Sequence, residues 1–129
     1  MLIQTPYDTD DLYQMRNDLM RKIPEDHLMF LQQLELSYEC GDYFCVHAGI
    51  DPDIPLDKQR PRDMVMIRDR FLNSQKKFEK IVIHGHTTSS RAEVRHNRIS
   101  LDTGAYISGI LSAGIFDGEN RRLLQVHEH

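Results

Sequence analysis

The first third of the chain carries apolar residues at helical spacing. Four of them, three or four positions apart, share one face of a predicted helix: Leu12, Met15, Leu19 and Ile23. Three candidate N-cap residues precede this stripe: Asp8, Thr9 and Asp10. Pro24 ends the helix and starts a second one, because proline is tolerated in the first turn of a helix but not in its interior. This second helix is predicted to bury a short stripe of Leu28, Leu31 and Leu34.

After residue 34 the apolar pattern changes to a period of two. Three residues alternate with polar ones, as in a half-buried strand: Leu34, Leu36 and Tyr38. The Cys40-Gly41-Asp42 segment supplies turn residues, and residues 43–46 form an apolar run rich in strand formers. This pattern predicts a hairpin whose second strand ends at His47.

The centre of the chain predicts a helix and then a buried strand. Over residues 63–72 one helical face carries Met64, Ile67, Phe71 and Leu72, with Arg68 at its edge. The strand at residues 80–83 ends in His84-Gly85-His86-Thr87. Further strands joined by turns are predicted at residues 92–95, 98–102, 110–116 and 122–126. The predicted fold class is α+β, with mainly β structure towards the C-terminal end.

Size and composition narrow the class of protein. The 129 residues are 40% hydrophobic and 28% charged, which predicts a single domain over residues 1–129 with one core. The net charge of -4 and the absence of a lysine and arginine cluster argue against nucleic acid or anionic lipid as a partner. Neither a secretion signal nor an apolar stretch of about 18 residues is present, so we expect a soluble, cytoplasmic protein. Cys40 and Cys45 are then expected to be free thiols.

Two apolar strands that each end in a histidine beside a glycine are the strongest candidates for chemistry. They are Val46-His47-Ala48-Gly49 and Ile83-His84-Gly85-His86. One histidine at a strand end is more often a hydrogen-bonded structural residue, but a pair favours metal ligation. Two imidazoles alone make a poor site for a hydrolytic metal, which also needs carboxylate or amide oxygens.

Four segments, in order along the chain, carry a resemblance to a known family. They are residues 44–52 (Phe-Cys-Val-His-Ala-Gly-Ile-Asp-Pro), residues 66–72 (Met-Ile-Arg-Asp-Arg-Phe-Leu), residues 82–87 (Val-Ile-His-Gly-His-Thr) and residues 101–106 (Leu-Asp-Thr-Gly-Ala-Tyr). Together they resemble successive motifs of bacterial and phage PPP-type serine/threonine protein phosphatases, over residues 23–126. The resemblance implies the C-terminal half of a calcineurin-like metallophosphoesterase fold, a β-sandwich flanked by helices.

The resemblance also implies roles for single residues. His47 and His86 would ligate one of two metal ions, and Arg68 would hold the substrate phosphate, a task that suits a planar cation with several donors. Without the resemblance, Arg68 would be a solvated helix charge. Tyr106 would line the mouth of the pocket and contact substrate, or simply pack.

Other residues near these motifs are expected to have supporting or surface positions. His84 would support the site, Asp102 would form a structural hydrogen bond, and Arg70 would lie on the surface. Four further histidines are expected at the surface: His27, His96, His127 and His129.

Some features of the family are absent from the sequence. Thr88 and Met66 replace a usual proline and a usual aromatic residue. The GDxHG, GDxxDRG and GNHE motifs, which supply the remaining metal ligands in the family, do not occur in the 129 residues. We therefore expect a fragment of an enzyme with one incomplete metal site, or a remnant that has lost catalysis.

As a whole enzyme, the family would hydrolyse phosphate monoesters by attack of a metal-bridging hydroxide. The implied cofactor is a pair of divalent ions, with manganese favoured and iron, zinc or nickel left open. The implied partner is a phosphoprotein or small phosphoester substrate. One alternative is a dinucleoside tetraphosphate hydrolase of the same superfamily, and another is a non-catalytic interaction module. Exposed sheet surfaces would favour self-association of the chain alone.

Overall fold

The structure, a computed structural model, describes residues 9–118 and 120–127. The predicted cap at Asp8 and the predicted surface residue His129 lie outside the described residues. The described chain divides into two compact units, residues 9–34 and residues 35–127.

The first unit contains the two predicted helices, α1 (Thr9–Lys22) and α2 (Glu25–Gln32). Pro24 separates them with an extended ψ of 144°, and its carbonyl accepts the first bond of α2 from Leu28 N. The predicted buried stripe on α2 is wrong, because no residue of α2 is buried and Leu31 and Leu34 are more than half exposed. Helical spacing shows which side chains share a face, but it cannot show whether another surface covers that face.

A five-stranded sheet forms the centre of the second unit. Its strands are β1 (Ser37–Cys40), β2 (Tyr43–Val46), β3 (Ile81–His84), β4 (Glu93–Val94) and β5 (Arg98–Ser100), in the spatial order β1-β2-β3-β5-β4. The predicted hairpin is confirmed as β1 and β2, while β2, β3 and β5 are parallel. Central parallel strands are covered on both faces, which explains their continuous apolar runs. Since β2 and β3 are parallel neighbours, the residues that follow them emerge at the same edge of the sheet.

A second sheet covers one face of the first. After a short helix, α5 (Ala105–Ser108), the chain forms an antiparallel hairpin of β6 (Ile110–Asp117) and β7 (Asn120–His127). Phe116 and Leu123 from this hairpin pack against a buried cluster of Tyr43, Ile83 and Ile99. The Tyr43 hydroxyl also donates a hydrogen bond to the carbonyl of Gly118, at 2.9 Å. The two sheets therefore form a small two-layer structure.

Two short helices, α3 (Pro61–Met66) and α4 (Asp69–Leu72), contribute to a second cluster of the core. The buried members of this cluster are Phe44, Val46, Ile50, Leu56, Met64, Phe71 and Val82. The predicted continuous helix over residues 63–72 is wrong, although Met64 and Phe71 are buried as its pattern indicated. The carbonyl of Met64 accepts a bond from Ala48 N at 2.8 Å, and Ile67 takes an extended conformation that ends α3. A tertiary hydrogen bond thus replaces the helical bond that Arg68 N would have donated.

These layers confirm the predicted α+β fold class. Among the described residues, no helix is long and apolar enough to span a lipid bilayer.

Candidate active site

The two candidate metal ligands meet at one edge of the central sheet. The Nε2 atom of His47 lies 3.1 Å from the Nδ1 atom of His86, although 39 residues separate them in the chain. Two nitrogen ligands at about 2.1 Å from one tetrahedral ion would be about 3.4 Å apart. The distance therefore suits either two ligands of a single ion or an N–H···N hydrogen bond. The predicted convergence of the two imidazoles is confirmed, and their role as ligands stays a prediction.

Backbone hydrogen bonds hold the two strand ends together. Gly85 N donates to the carbonyl of His47 at 2.8 Å, which extends the pairing of β2 and β3 into the site. His86 has a φ of 65° and is the one non-glycine residue with positive φ in the part of the chain that the structure describes. Thr87 N donates to Gly85 O across it, at 2.7 Å, in a tight three-residue turn. Such strained conformations concentrate at functional sites.

His84 supports this turn from beneath, as its predicted supporting role requires. It is 3% exposed, and its Nδ1 lies 3.1 Å from the carbonyl of Gly85, so Nδ1 carries the proton and donates it. Its ring packs edge-on against Phe71 at 4.9 Å. Burial, the largest cause, lowers the pKa of His84, and Arg98 lowers it further. The imidazole is therefore held neutral between the turn and the core.

Arg68 lies beside the histidine pair. It occupies the break between α3 and α4, with φ -133° and ψ -107°, so it does not belong to a helix. Its Nη1 donates to the Thr87 hydroxyl at 3.4 Å. The pKa of His86 is lowered, first by burial and then by the nearby Arg68 and His47. A lowered pKa favours the neutral imidazole, which is the form that binds a metal.

Asp102 approaches the same place from the end of β5. It lines a shallow hollow together with both histidines. Its Oδ1 accepts hydrogen bonds from Gly104 N at 3.0 Å and from the Thr88 hydroxyl at 3.5 Å. These contacts fit the predicted structural role, since they fix the loop that follows β5.

The residues present fit a metal ion only in part. Within residues 9–118 and 120–127, no group of three or more histidine, cysteine, aspartate or glutamate side chains could hold an ion. His47 and His86 offer two neutral nitrogen atoms and no negative charge. A divalent ion bound here would need further ligands, of which carboxylates are the best matched.

The remaining candidates lie away from the histidine pair. Tyr106 is 86% exposed on α5 and does not line the hollow, so its substrate contact stays a prediction. Arg70 lies at the surface as expected, where it pairs with Asp51 at 3.0 Å and Asp53 at 2.8 Å. Three predicted surface histidines are exposed: His27, His96 and His127.

Sequence reasoning did not assign a role to Thr87, whose hydroxyl accepts the bond from Arg68. The sequence did contain a signal for this role. Thr87 directly follows His86, so its short polar side chain has to lie close to the site. The break at Arg68 gave no such signal. It depends on the hydrogen bond that Ala48 N donates to the Met64 carbonyl, and Ala48 is distant from Arg68 in the sequence.

Comparisons with known proteins place the fold. No protein-family model matches the chain, and no curated protein matches it. The chain is similar to a solved crystal structure described as that of a candidate diadenosine tetraphosphatase, with a TM-score of 0.64 and 22% sequence identity. The match covers 84% of this chain and 58% of the other, so the chain spans little more than half the length of that protein. At this identity the similarity shows a shared fold, which is of the calcineurin-like phosphoesterase type.

Proposed function

We propose that this chain forms part of a metal-dependent phosphoesterase, a phosphoric ester hydrolase. The observation that carries the proposal is the 3.1 Å approach of His47 Nε2 to His86 Nδ1, with Arg68 attached to the same turn through Thr87. Two nitrogen ligands and a free guanidinium are the pieces that a site for a phosphoryl group requires.

His47 and His86 would hold one divalent ion, with manganese favoured and iron, zinc or nickel as alternatives. When bound, this ion supplies positive charge next to the phosphoryl group and makes water at the site more acidic. The turn at residues 85–87 fixes the direction of the His86 ring, and the hydrogen bond from His84 Nδ1 to the Gly85 carbonyl holds that turn. Remaining ligands have to come from outside the described residues.

Arg68 would bind the phosphoryl oxygens. Its guanidinium can donate two parallel hydrogen bonds to a phosphate, and its exposure leaves these donors accessible. The Thr87 hydroxyl accepts a hydrogen bond from the guanidinium, which ties Arg68 to the turn that carries His86. Positive charge placed in advance stabilises the charge that develops on the phosphoryl oxygens in the transition state.

The substrate is proposed to be a phosphoprotein or a small phosphate monoester. A dinucleoside tetraphosphate is the second candidate, which the description of the structural neighbour favours. A non-catalytic interaction module is the remaining possibility. Comparison of rates on a phosphopeptide and on diadenosine tetraphosphate would separate the two enzyme activities.

Metal binding tests the proposal directly. Because two neutral nitrogen ligands bind a divalent ion only weakly, an excess of the purified chain should reduce the electron paramagnetic resonance signal of free Mn²⁺ in part. Both His47→Gln and His86→Gln should remove this effect, because each leaves a single nitrogen ligand. His27→Gln changes an exposed histidine on α2 and should leave it intact. Equal Mn²⁺ binding in all four proteins would overturn the assignment of the pair as ligands.

A further inference from the structure

A cavity of about 370 Å³ includes in its lining Thr87, the residue that directly follows His86. Its lining includes Thr87, Thr88, Glu93, Arg95, Arg98 and Ser100. Arg98 and Ser100 belong to β5 and are only 4% and 6% exposed. Thr87 also accepts the hydrogen bond from Arg68, so one residue contributes to both the active site and the cavity.

Arg98 is a buried cation in the lining of this cavity. Among the described residues it forms no ion pair, and its Nη1 has no hydrogen-bond partner. Its guanidinium carbon lies 5.9 Å from the centre of the Phe71 ring. Burial is the main cause that lowers the pKa of Arg98, the neighbouring Arg95 lowers it further, and Glu93 raises it in part. A buried charge is costly unless it is paired, so this arginine calls for an anionic partner.

The other lining groups complete a site for an anion. The Ser100 hydroxyl is also buried without a hydrogen-bond partner among the described residues. Glu93 is the one carboxylate of the lining, and it pairs with Arg95 at 3.2 Å. Two guanidinium groups against one carboxylate leave an excess of one positive charge. Buried donors with a net positive charge match the oxygens of a phosphate group.

We propose that this cavity binds a second phosphate group, adjacent to the phosphate at His47, His86 and Arg68. The identity of that group as part of a substrate rests on the proposed phosphoesterase function. A chain of phosphates would pass over Thr87, with one phosphate at the histidine pair and the next held by Arg98 and Ser100. An oligophosphate ester is the substrate class that would occupy both positions. A phosphate monoester would occupy only the position at the histidine pair, and the cavity could then bind free phosphate.

Nuclear magnetic resonance of the arginine Nε–Hε groups tests this directly. The ¹⁵N-labelled chain is titrated with tripolyphosphate or with orthophosphate, in EDTA so that no metal contributes. The assigned Arg98 signal should shift with tripolyphosphate. In Arg98→Met the affinity for tripolyphosphate should fall roughly ten- to a hundredfold, the range for losing a hydrogen bond to a charged group. Arg121→Met is the matched control, because Arg121 also lies over an aromatic ring, that of Tyr43 at 5.6 Å, but does not line the cavity.

A stationary Arg98 signal in the unaltered chain, up to saturating tripolyphosphate, would overturn the proposal even if Arg98→Met fails to fold. Equal affinity for orthophosphate and tripolyphosphate would overturn the oligophosphate assignment. Because the titration contains no metal, its result is independent of the Mn²⁺ experiment. A shifted Arg98 signal with no Mn²⁺ binding would support the phosphate site and contradict the phosphoesterase function.

Discussion

At the scale of single residues, the candidate site depends on one backbone turn more than on any side chain. His86 adopts a φ of 65°, a backbone region that is unfavourable for residues with a β-carbon. The Gly85 carbonyl accepts bonds from both Thr87 N and His84 Nδ1, and these contacts hold the turn. The result is an imidazole aimed back at His47 instead of along the direction of β3. Strain is therefore maintained where it brings two potential ligands together.

Arg68 and Arg70 make a matched pair for testing substrate binding. In a form of the protein that carries the missing ligands, Arg68→Ala should lower kcat/KM by roughly ten- to a thousandfold, as expected for a lost charge-assisted contact in the transition state. Arg70→Ala should have little effect, because Arg70 pairs with Asp51 and Asp53. Steady-state kinetics with equal metal content checks this. Unchanged kinetics in Arg68→Ala would make that residue a solvated surface charge.

Cys45 gives a chemical probe of the edge of the hollow. Burial, the largest cause, and the nearby Cys40 raise the pKa of the Cys45 thiol above its ordinary value of 9.0. The thiolate is the reactive form, so Cys45 should be alkylated by iodoacetamide more slowly than the exposed Cys40 at pH 8. The rate at Cys45 should continue to rise as the pH passes 9. Mass spectrometry of timed samples would measure both rates, and faster labelling of Cys45 would show that β2 is open at this edge.

At the scale of elements, the position of Arg68 depends on the contact between α4 and the segment after β2. Gly49 has a φ of 150°, and a β-carbon built on it would overlap the ring of the fully buried Phe71. The same segment donates Ala48 N to the carbonyl of Met64, which ends α3. Close backbone approach at Gly49 thus places Phe71, and with it the break that carries Arg68.

Gly49→Ala should destabilise the fold through this contact. The added methyl group would force the Phe71 ring to move, which costs about 1–3 kcal/mol for overpacking, with backbone strain in addition. Urea unfolding would measure the loss in the free energy of unfolding. Gly85→Ala is the control, because its β-carbon would meet Asp102 at an ordinary 3.5 Å. Comparable losses in the two variants would mean that Gly49 has no special packing role.

The sequence pattern predicted most elements and the histidine pair, but not the contacts that build the site. Strands β2 and β3 were predictable because their apolar runs are long and end in glycine and histidine. The helix break at Arg68 was not predictable, since it depends on a hydrogen bond donated by Ala48 N, which lies about 20 positions earlier in the chain. Arg98 was also missed: its burial follows from the place of β5 between β3 and β4, and strand order is not encoded in local spacing.

At the scale of the whole molecule, the second unit brings together the groups on which the proposed function rests. It holds two imidazoles that follow its parallel strands, a guanidinium tied to the same turn, and a cavity lined by a buried arginine. The outer face of β6 and β7 remains apolar, with Leu111 62% exposed and Val126 66% exposed. Open apolar sheet faces favour association. Self-association of the isolated chain therefore continues to be expected, and it stays a prediction.

The chain purified alone should show no appreciable phosphatase turnover. The described residues offer two neutral nitrogen ligands and no third group that could join them, so they neither neutralise a divalent ion nor hold a second one. The reaction needs hydroxide near neutral pH, which forms only where an ion lowers the pKa of water. Without a well-held ion, too little hydroxide would form. Mn²⁺-dependent hydrolysis of p-nitrophenyl phosphate measures this, with His86→Asn as the matched variant. Robust turnover that His86→Asn abolishes would mean that carboxylate ligands come from the undescribed residues or from a second copy of the chain, and the site would be complete rather than partial.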